Sequence, residues 1–511
     1  MIMSIYESIK AAAKENEKLP ADFSLNEKVA PNEMAFAPGA MDGIWIYHGG
    51  IGGASDGLDD AVANVVSLIE QYLDTDDERC LDKLEAILTE HRALHIVDPM
   101  LNSIRENHEN IDLQKLIEFA FETAKTSDSI EMVKICISLL GLFDLEKHES
   151  IRTVVAVLGL YDELTLFSVV AATKWTDGTG LVFWIAQRAS GWGKIHAVER
   201  LEPETDTIRD WILREGCSNG VMDAYLGLIC ANKGDLITAL RQEHLDSDLF
   251  ESVSIIIDAL IDEGPVPGIS EYEHAQEALE LYLRHAKEQA TTLSHLWYVL
   301  NIQLWADDDE IEYSAKVLDL CNEILNATEW NKKIISALEE RSDVFHAVNA
   351  ASRMDVDILD MLYAIVKQEP LEYYFYLGGL FKKPEMAVEL IALYEKVLPL
   401  DKMPQGMGDF FFADTLRKEH SCLDYVLPLI ADYPMHGIEL IKTGLNSPVV
   451  RSRNMACRAI SDWTKVLKKP ISDISPELLV ELQRIIEIEV NDDTKETMRR
   501  LVAGEVVDED D

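Results

Sequence analysis

The chain has 511 residues, and its 92 Asp and Glu side chains outnumber its 46 Lys and Arg side chains, which gives a formal net charge of −46. This charge excludes a general binder of nucleic acid or of anionic membranes, because both of those need clustered Lys and Arg. Hydrophobic residues make up 48% of the chain and charged residues 27%, a globular composition. At this length we expect several domains or one elongated array of repeats.

Residues 1–56 form the first predicted region, which is small and irregular. A short helix is expected between Met1 and Ala13, then a polar linker, then an extended apolar stretch at Ile44–Tyr47. A glycine-rich loop at His48–Gly57 leads into a predicted helix at Leu58–Leu73.

The glycine-rich loop has three interpretations. As a phosphate-binding loop it is poor, because Ser55 stands where the third glycine belongs and no Lys-Ser/Thr pair follows. The loop also fits the Gly-x-Ser-x-Gly pattern of a nucleophile elbow, and the catalytic candidates are then Asp42, His48 and Ser55. An elbow needs a parallel sheet, however, and no later strands are predicted. We favour the third interpretation, in which glycines allow tight turns before a helix that Ser55 or Asp56 caps.

Acidic residues after that helix have the spacing of a calcium-binding loop. Asp74, Asp76 and Glu85 occupy positions 1, 3 and 12 of the calcium template. Arg79 stands where the template needs a glycine for its sharp turn. We therefore favour an acidic helix start, which the positive end of the helix dipole stabilises.

His91 and His95 lie four residues apart on one predicted helix, a spacing that allows two imidazoles to bind one metal ion. Arg92 follows His91, where zinc proteases of this pattern have a Glu. We favour two surface or interface histidines, and we expect no metal and no cofactor.

Residues 57–504 form the predicted main body, in which apolar residues recur at helical spacing, as in Leu113–Phe121. Three residue pairs that end in proline predict helix starts: Asp98–Pro99, Ser447–Pro448 and Ser475–Pro476. The predicted fold class is all-α.

Internal repeats indicate that the helices stack in pairs. Leu140–Asp144 (LGLFD) returns 18 residues later as Leu158–Asp162 (LGLYD), with a weaker echo at Tyr225–Ile229. One helix and its turn take about 18 residues, so a pair spans about 36. A second pattern, a basic residue with a small residue three positions later and an apolar one seven later, begins at Lys194 and at Arg453.

These motifs carry a family resemblance. Asn446–Arg451 with Ala456–Ile460, and also Gly191–Leu201, resemble the second helix of a HEAT-like repeat, and the chain resembles HEAT-like helical-repeat proteins of bacterial type. The resemblance implies an α-solenoid of antiparallel helix pairs over 57–504. The acidic residues at the end predict a disordered tail at 505–511. Some such proteins bear a terpene-hydroxylase label, but the sequence shows no haem-ligand cysteine and no flavin or nicotinamide fingerprint.

Trp175, Trp184 and Trp192 lie within 18 residues and are interleaved with glycines. Large aromatic residues at helical spacing favour core packing. The alternative is a groove for a partner or a ligand.

From these features we expect a non-catalytic scaffold or adaptor that presents an acidic curved surface to a basic protein partner. Two alternatives stay open. One is an enzyme, hydrolase or hydroxylase-like, with a site at the glycine-rich loop; the other is a small-molecule-binding protein with an apolar cavity lined by the tryptophans. Seven unpaired cysteines, no signal-like N-terminus and no run of about 18 apolar residues predict a cytoplasmic protein that binds no membrane.

Overall fold

The computed structural model describes the following residues: 3–13, 18–20, 22–25, 36–49, 57–264, 266–307, 313–327, 329–403, 406–408 and 418–505. They belong to two compact units, one that includes Phe36–Trp330 and the described residues before it, and one that begins at Asn331. The described residues contain 29 α-helices and no β-strand, so the predicted all-α class is confirmed. Within this part of the chain, no helix is both long and apolar enough to cross a bilayer.

The first unit contains helices α1 to α18. Short π-helical turns follow α2 at Trp45–Gly49 and α12 at Ile212–Gly216. The helix bounds are α1 Ile5–Ala12, α2 Ala40–Ile44, α3 Leu58–Thr75, α4 Arg79–Glu90, α5 Ala93–Glu106, α6 Leu113–Thr126, α7 Ile130–Leu140, α8 Glu149–Leu158, α9 Asp162–Ala172, α10 Gly178–Ala186, α11 Gly191–Arg200, α12 Asp206–Trp211, α13 Ala224–Lys233, α14 Leu236–Leu240, α15 Ser247–Ile261, α16 Ala275–Gln289, α17 Leu293–Ala306 and α18 Ser314–Ala327.

The odd-numbered helices of the first unit form one continuous row. Each helix from α3 to α17 contacts the next odd-numbered helix, and α14, α16 and α18 contact one another in a second row. Neighbours in sequence, such as α15 with α16 and α17 with α18, pack across the two rows. This arrangement of stacked helix pairs is compatible with a helical repeat.

The second unit contains helices α19 to α29. It shows the same kind of packing, because α21, α23, α25 and α28 contact one another in sequence and α24, α26 and α29 form another row. The helix bounds are α19 Trp330–Glu340, α20 Val344–Arg353, α21 Leu359–Gln368, α22 Leu377–Leu380, α23 Pro384–Val397, α24 Lys418–Ile430, α25 Ile438–Leu445, α26 Val450–Leu467, α27 Ile471–Ile474, α28 Pro476–Ile486 and α29 Asp492–Val502.

Polar contacts between successive helix pairs recur at the predicted interval in several places. Four ion pairs join residues that are 36 positions apart: Arg241 with Glu277, Glu280 with Lys316, Lys287 with Glu323, and Arg453 with Glu489. Other contacts have a longer interval, such as the 44 positions between Glu251 and His295. The repeat is therefore irregular in length.

The LGLFD and LGLYD repeats have the same structural role. Gly141 and Gly159 are the C-caps of α7 and α8, and the following aspartates each bond to backbone N–H groups at the start of a later helix. Asp144 accepts from the N–H of Thr176, just before α10, while Asp162 accepts from the N–H groups of Ser190 and Gly193 at the start of α11. The echo at Tyr225–Ile229 differs, because it lies inside α13.

The basic residues of the second sequence pattern are both buried. The ammonium of Lys194 donates to the carbonyl oxygens of Glu215 and Ser218, at 2.7 and 2.5 Å. Arg453 donates to the carbonyl oxygen of Ser447 and pairs with Glu489. Each basic side chain therefore ties its own helix to a neighbouring turn of the chain.

Two of the three predicted proline-linked helix starts are wrong. Pro99 lies inside α5, whose N-terminus at Ala93 is capped from another helix, because the Ala93 N–H donates to Oε2 of Glu131 at 2.6 Å. Pro448 lies two residues before the start of α26. The start at Ser475–Pro476 is confirmed, since the Ser475 hydroxyl accepts from the N–H of Leu478 and α28 begins at Pro476.

The predicted extended stretch at Ile44–Tyr47 is also wrong. Its residues belong to the end of α2 and the π-helical turn that follows. An apolar run of four residues fits a strand or a buried helix equally well, so periodicity alone could not distinguish them. The predicted helix after the loop is present as α3, but its N-cap is Gly57 with φ of 94° and not Ser55 or Asp56.

Candidate functional site

The residues from Phe36 to Gly49, here called the N-terminal segment, pack on the odd-numbered row of the first unit. Gly39 and Gly43 permit this close packing. A Cβ atom on Gly43 would lie 2.1 Å from the indole of Trp192 on α11, and Gly39 has φ of 76°, in the left-handed region that favours glycine. The backbone N–H of Gly39 donates to Oε2 of Glu163 at 2.5 Å.

Asp42 of this segment is at the centre of a buried group of charges. Its side chain is 2% exposed, and it lies between Arg92, just before α5, and Lys134 on α7. Nη2 of Arg92 is 2.8 Å from Oδ1 of Asp42, and Nζ of Lys134 is 2.7 Å from Oδ2. The Lys134 side chain is fully buried.

Two further carboxylates complete what we call the ionic cluster, which consists of Asp42, Arg92, Glu131, Lys134 and Glu163. Nζ of Lys134 lies 2.9 Å from Glu131 and 2.5 Å from Glu163. Arg92 also reaches Glu163, at 3.0 Å. Three acidic and two basic side chains thus share their hydrogen bonds, which is the condition under which buried charges are tolerated.

The pKa values within the cluster follow from these contacts. Burial by itself would raise the pKa of Asp42, but the attraction of Lys134 and Arg92 exceeds that effect and the pKa is lowered. Burial would likewise lower the pKa of Lys134, whereas the three surrounding carboxylates raise it. Both side chains are therefore charged at neutral pH, and the cluster is a structural attachment for the segment.

A second contact of the segment is aromatic. Tyr47 packs against Trp192, His196 and Tyr225, with ring centroids 6.1, 6.1 and 4.8 Å away. Its hydroxyl donates to Glu199 at 3.1 Å. These rings fill the space between them, so they form a packed contact and leave no cage for a ligand.

His196 has an unusual position in this aromatic contact. It is 1% exposed, and neither ring nitrogen has a hydrogen-bond partner among the described residues. Burial lowers its pKa to about 3, and Arg200 adds to this effect. The imidazole is therefore neutral over the physiological range.

Asp162 lies beneath the same segment and has the opposite kind of shift. Burial raises its pKa to about 7, although the backbone N–H groups of Ser190 and Gly193 stabilise the carboxylate, and the neighbouring charge of Glu163 adds to the increase. A carboxyl group with this pKa changes its charge close to neutral pH.

A groove of about 260 Å³, here called the apolar groove, lies beside the ionic cluster between α5, α7 and α9. Ile46 of the N-terminal segment and Phe167 of α9 line it. Nζ of Lys134 is 5.4 Å from the centroid of the Phe167 ring, so the cluster and the groove share a wall.

A second groove, here called the acidic groove, lies farther along the same row, between α13, α15 and α17. Its volume is about 520 Å³ and its lining includes Asp223, Asp258 and Asp262 together with Tyr298. The acidic neighbours and burial raise the pKa of Tyr298, burial being the larger cause. This groove can receive a positively charged group.

The predicted catalytic candidates are not brought together in the described structure. Asp42 is held in the ionic cluster, and Nε2 of His48 lies 2.5 Å from the hydroxyl of Tyr225. Ser55 lies outside the described residues. Neither Asp42 nor His48 is therefore placed against the other as a base and its orienting partner.

The predicted metal candidates are also separated by the fold. His91 ends α4 and His95 lies in α5, so the single helix predicted for them is absent. The His95 ring packs edge-on against Trp45, 5.3 Å away. No group of three or more His, Cys, Asp or Glu side chains in the described ranges is arranged to bind a metal ion.

The calcium candidates fall on a helix junction. Asp74 lies in α3, Asp76 is its C-cap, and Glu85 lies in α4, which begins at Arg79. Arg79 pairs with the carboxylate of Asp77 at 2.6 Å. The acidic residues therefore flank the predicted helix start.

The three tryptophans are placed mainly in the core. Trp175 and Trp192 are buried, and Trp192 supports the N-terminal segment at Gly43. Trp184 is partly exposed and stacks against the guanidinium of Arg188, 4.3 Å from the ring centroid. They do not line either groove.

The sequence did not identify four members of the ionic cluster, Arg92, Glu131, Lys134 and Glu163, or the three aspartates of the acidic groove. Lys134 left a signal, because it is the one cation of α7 and lies within nine consecutive buried residues of that helix. No family model, no curated protein and no solved structure matches this chain.

Proposed function

We propose that this chain is a HEAT-like α-solenoid that binds a basic segment of a partner protein without catalysing a reaction. The acidic groove between α13, α15 and α17 is the observation that supports this function most. It lies on a row of stacked helices, which is the kind of surface that helical-repeat proteins use for binding.

The lining of the acidic groove suits a Lys or Arg side chain. Asp223 and Asp262 offer carboxylates to the charged end, although the Asp223 carboxylate already accepts from the Asn219 N–H at 3.0 Å and from the Ser218 hydroxyl at 3.4 Å. Val221 and Ile255 offer apolar contact to the aliphatic stem, while the ring of Tyr298 can attract a cation through its face. The net charge of −46 would steer such a partner toward the chain.

The HEAT-like repeat type is supported by the buried basic residues of the two matching motifs. Lys194 and Arg453 occupy equivalent motif positions, and both tie their helix to a neighbouring turn. The 36-residue interval of four inter-pair ion pairs agrees with the length of a helix pair. A cytoplasmic location belongs to the same proposal, since all seven cysteines are free and buried.

Binding of a labelled octalysine peptide, followed by fluorescence anisotropy at low and moderate salt, tests the proposal. The double variant Asp223→Asn, Asp262→Asn retains oxygen acceptors but removes two charges from the groove. We expect its affinity to fall roughly tenfold at low salt, because two exposed ion pairs are lost at about 0.2–1 kcal/mol each.

The matched control is Glu118→Gln, Glu122→Gln, which removes the same charge from α6 in the first unit. If this control weakens octalysine binding as much as the groove variant does, the peptide is attracted by the total charge of the chain and the proposed groove is wrong. A groove variant with unchanged affinity would contradict the proposal equally.

A further inference from the structure

The apolar groove differs from the chain as a whole in the sign of its charge. Arg105, Lys174 and Arg200 line it, and Asp98 is the one acidic residue among its described lining. Over the whole chain, acidic side chains are twice as common as basic ones, at 92 against 46. A locally positive apolar groove in such a protein indicates a ligand that is both apolar and negatively charged.

Two of these cations are available to a ligand. Arg105 and Lys174 are exposed, and neither has a carboxylate partner in the part of the chain that the structure describes. Nη1 of Arg105 donates only to the side-chain oxygen of Asn102, at 3.2 Å. Arg200 is different, because its Nη1 already lies 2.5 Å from the carboxylate of Glu199.

The wall of the groove offers apolar contact and few polar groups. Leu166, Phe167 and Ala171 on α9 are buried there, opposite Leu94 of α5. The one hydroxyl in the lining, Ser138, donates to the carbonyl oxygen of Lys134 at 2.8 Å and is therefore engaged. Such a wall suits an alkyl chain, which needs no hydrogen bonds, better than a peptide backbone, which does.

We propose that the apolar groove binds a medium-chain carboxylate, with its alkyl chain along Leu166 and Phe167 and its carboxylate between Arg105 and Lys174. The charged end accounts for the unpaired cations, and the chain accounts for the apolar wall. Ile46 places the N-terminal segment on one side of the groove, so attachment of that segment through Asp42 completes the site. This site is distinct from the acidic groove and does not depend on the function proposed for it.

Isothermal titration with four probes on the full-length protein tests the proposal. Decanoate combines the chain and the charge, decanol has the chain alone, acetate has the charge alone, and decyltrimethylammonium reverses the charge. We expect decanoate to bind saturably, about tenfold or more tightly than decanol, because charge-assisted hydrogen bonds form only with the carboxylate. Acetate and decyltrimethylammonium are expected to bind at least as weakly as decanol.

Two variants separate the parts of the site. The double variant Arg105→Ala, Lys174→Ala should reduce the affinity for decanoate to that for decanol and leave the affinity for decanol unchanged. The control double variant Lys83→Ala, Lys147→Ala removes the same charge elsewhere and should change neither affinity. Val170→Trp, at the exposed edge of the groove, should weaken both chain-bearing probes.

Three results would overturn the proposal. The first is equal affinity for decanoate and decanol. The second is decanoate binding that the Arg105 and Lys174 substitutions do not weaken. The third is no saturable binding of decanoate at all, which would leave the groove to another occupant, such as an acidic peptide.

Discussion

The two grooves of the first unit lie along the same row of helices but have opposite charge. The apolar groove, on α5, α7 and α9, is lined by three cations and is bordered by the N-terminal segment. The acidic groove, on α13, α15 and α17, is lined by three aspartates. The net charge of −46 therefore describes the chain but not its individual surfaces. Local packing decides which charge each part of the row presents.

A pair of equivalent residues shows what burial does to a carboxyl group. Asp144 and Asp162 end the two copies of the same motif and bond to the start of a later helix. Hydrogen bonds from Thr176 lower the pKa of the exposed Asp144. Burial raises the pKa of Asp162 to about 7. The same motif therefore gives opposite pKa shifts, depending on whether its aspartate is buried or exposed.

The largest expected effect comes from removing the central cation of the ionic cluster. Lys134→Met leaves the buried Asp42 and the partly buried Glu131 and Glu163 with Arg92 alone. We expect the free energy of unfolding to fall by about 3–5 kcal/mol. Denaturant unfolding followed by tryptophan fluorescence measures it. The control Lys125→Met removes a partly exposed ion pair with Glu122 and should cost less than about 1 kcal/mol. Equal losses in the two variants would show that the cluster is not a buried attachment.

A second substitution tests the attachment of the segment at its glycine. Gly43→Ala places a Cβ atom within 2.1 Å of Trp192, so either the ring or the segment must shift. Overpacking of this kind costs about 1–3 kcal/mol of folding free energy. It should also loosen the N-terminal segment, which limited proteolysis of that segment measures. Gly180→Ala is the control, because its Cβ would meet nothing within 4 Å. A Gly43→Ala protein as stable and protease-resistant as this control would be evidence against the packing.

The pH dependence of stability tests the burial of Asp162. Between its ordinary pKa of 3.8 and about 7, the folded chain binds a proton at Asp162 that the unfolded chain has released. The free energy of unfolding therefore falls as pH rises through this range, by up to about 1.4 kcal/mol per pH unit from this group. Asp162→Asn should remove that contribution. Asp144→Asn should lower stability above about pH 4, where the lowered pKa of Asp144 is stabilising, and should change the pH dependence only below that value. If the stability of the two variants depended on pH in the same way, the difference in burial between Asp162 and Asp144 would be contradicted.

His196 should make the free energy of unfolding change with pH in the direction opposite to Asp162, over an overlapping pH range. Its pKa is about 3 in the folded chain and 6.5 ordinarily, so the unfolded chain binds the extra proton between these values. The free energy of unfolding therefore falls as pH drops from 6.5 toward 3. His196→Phe should reduce this acid sensitivity, and the exposed His244→Phe should not. Equal acid sensitivity of the His196→Phe protein and the unsubstituted chain would mean that His196 is not buried in its neutral form.

The helical architecture could be predicted from the sequence because it depends on local signals. The helical spacing of apolar residues and the helix start at Ser475–Pro476 are signals that span only a few residues. The repeat of LGLFD as LGLYD spans only the distance from one helix to the next. The ionic cluster could not be predicted in the same way, because Asp42 meets Arg92 and Lys134 at separations of 50 and 92 residues. Those contacts are fixed by helix stacking, which no short motif encodes.

The errors at Pro99 and at Ile44–Tyr47 have related causes. The N-terminus of α5 is capped by Glu131 from another helix, so the local proline did not mark its start. Within Ile44–Tyr47, the Tyr47 ring packs against Trp192 and Tyr225 of the helix row, whereas Ile44 and Trp45 are exposed. In both places a tertiary contact replaced the local signal.

The most direct test is a crossed binding measurement on one protein, with decanoate and octalysine as the two ligands. The Arg105→Ala, Lys174→Ala variant should weaken decanoate binding about tenfold and leave octalysine binding no weaker. The Asp223→Asn, Asp262→Asn variant should weaken octalysine binding and leave decanoate binding no weaker. The row does not contain two grooves of opposite charge selectivity if each variant weakens the binding of both ligands to the same extent. The same conclusion follows if neither variant weakens the binding of the ligand proposed for its groove.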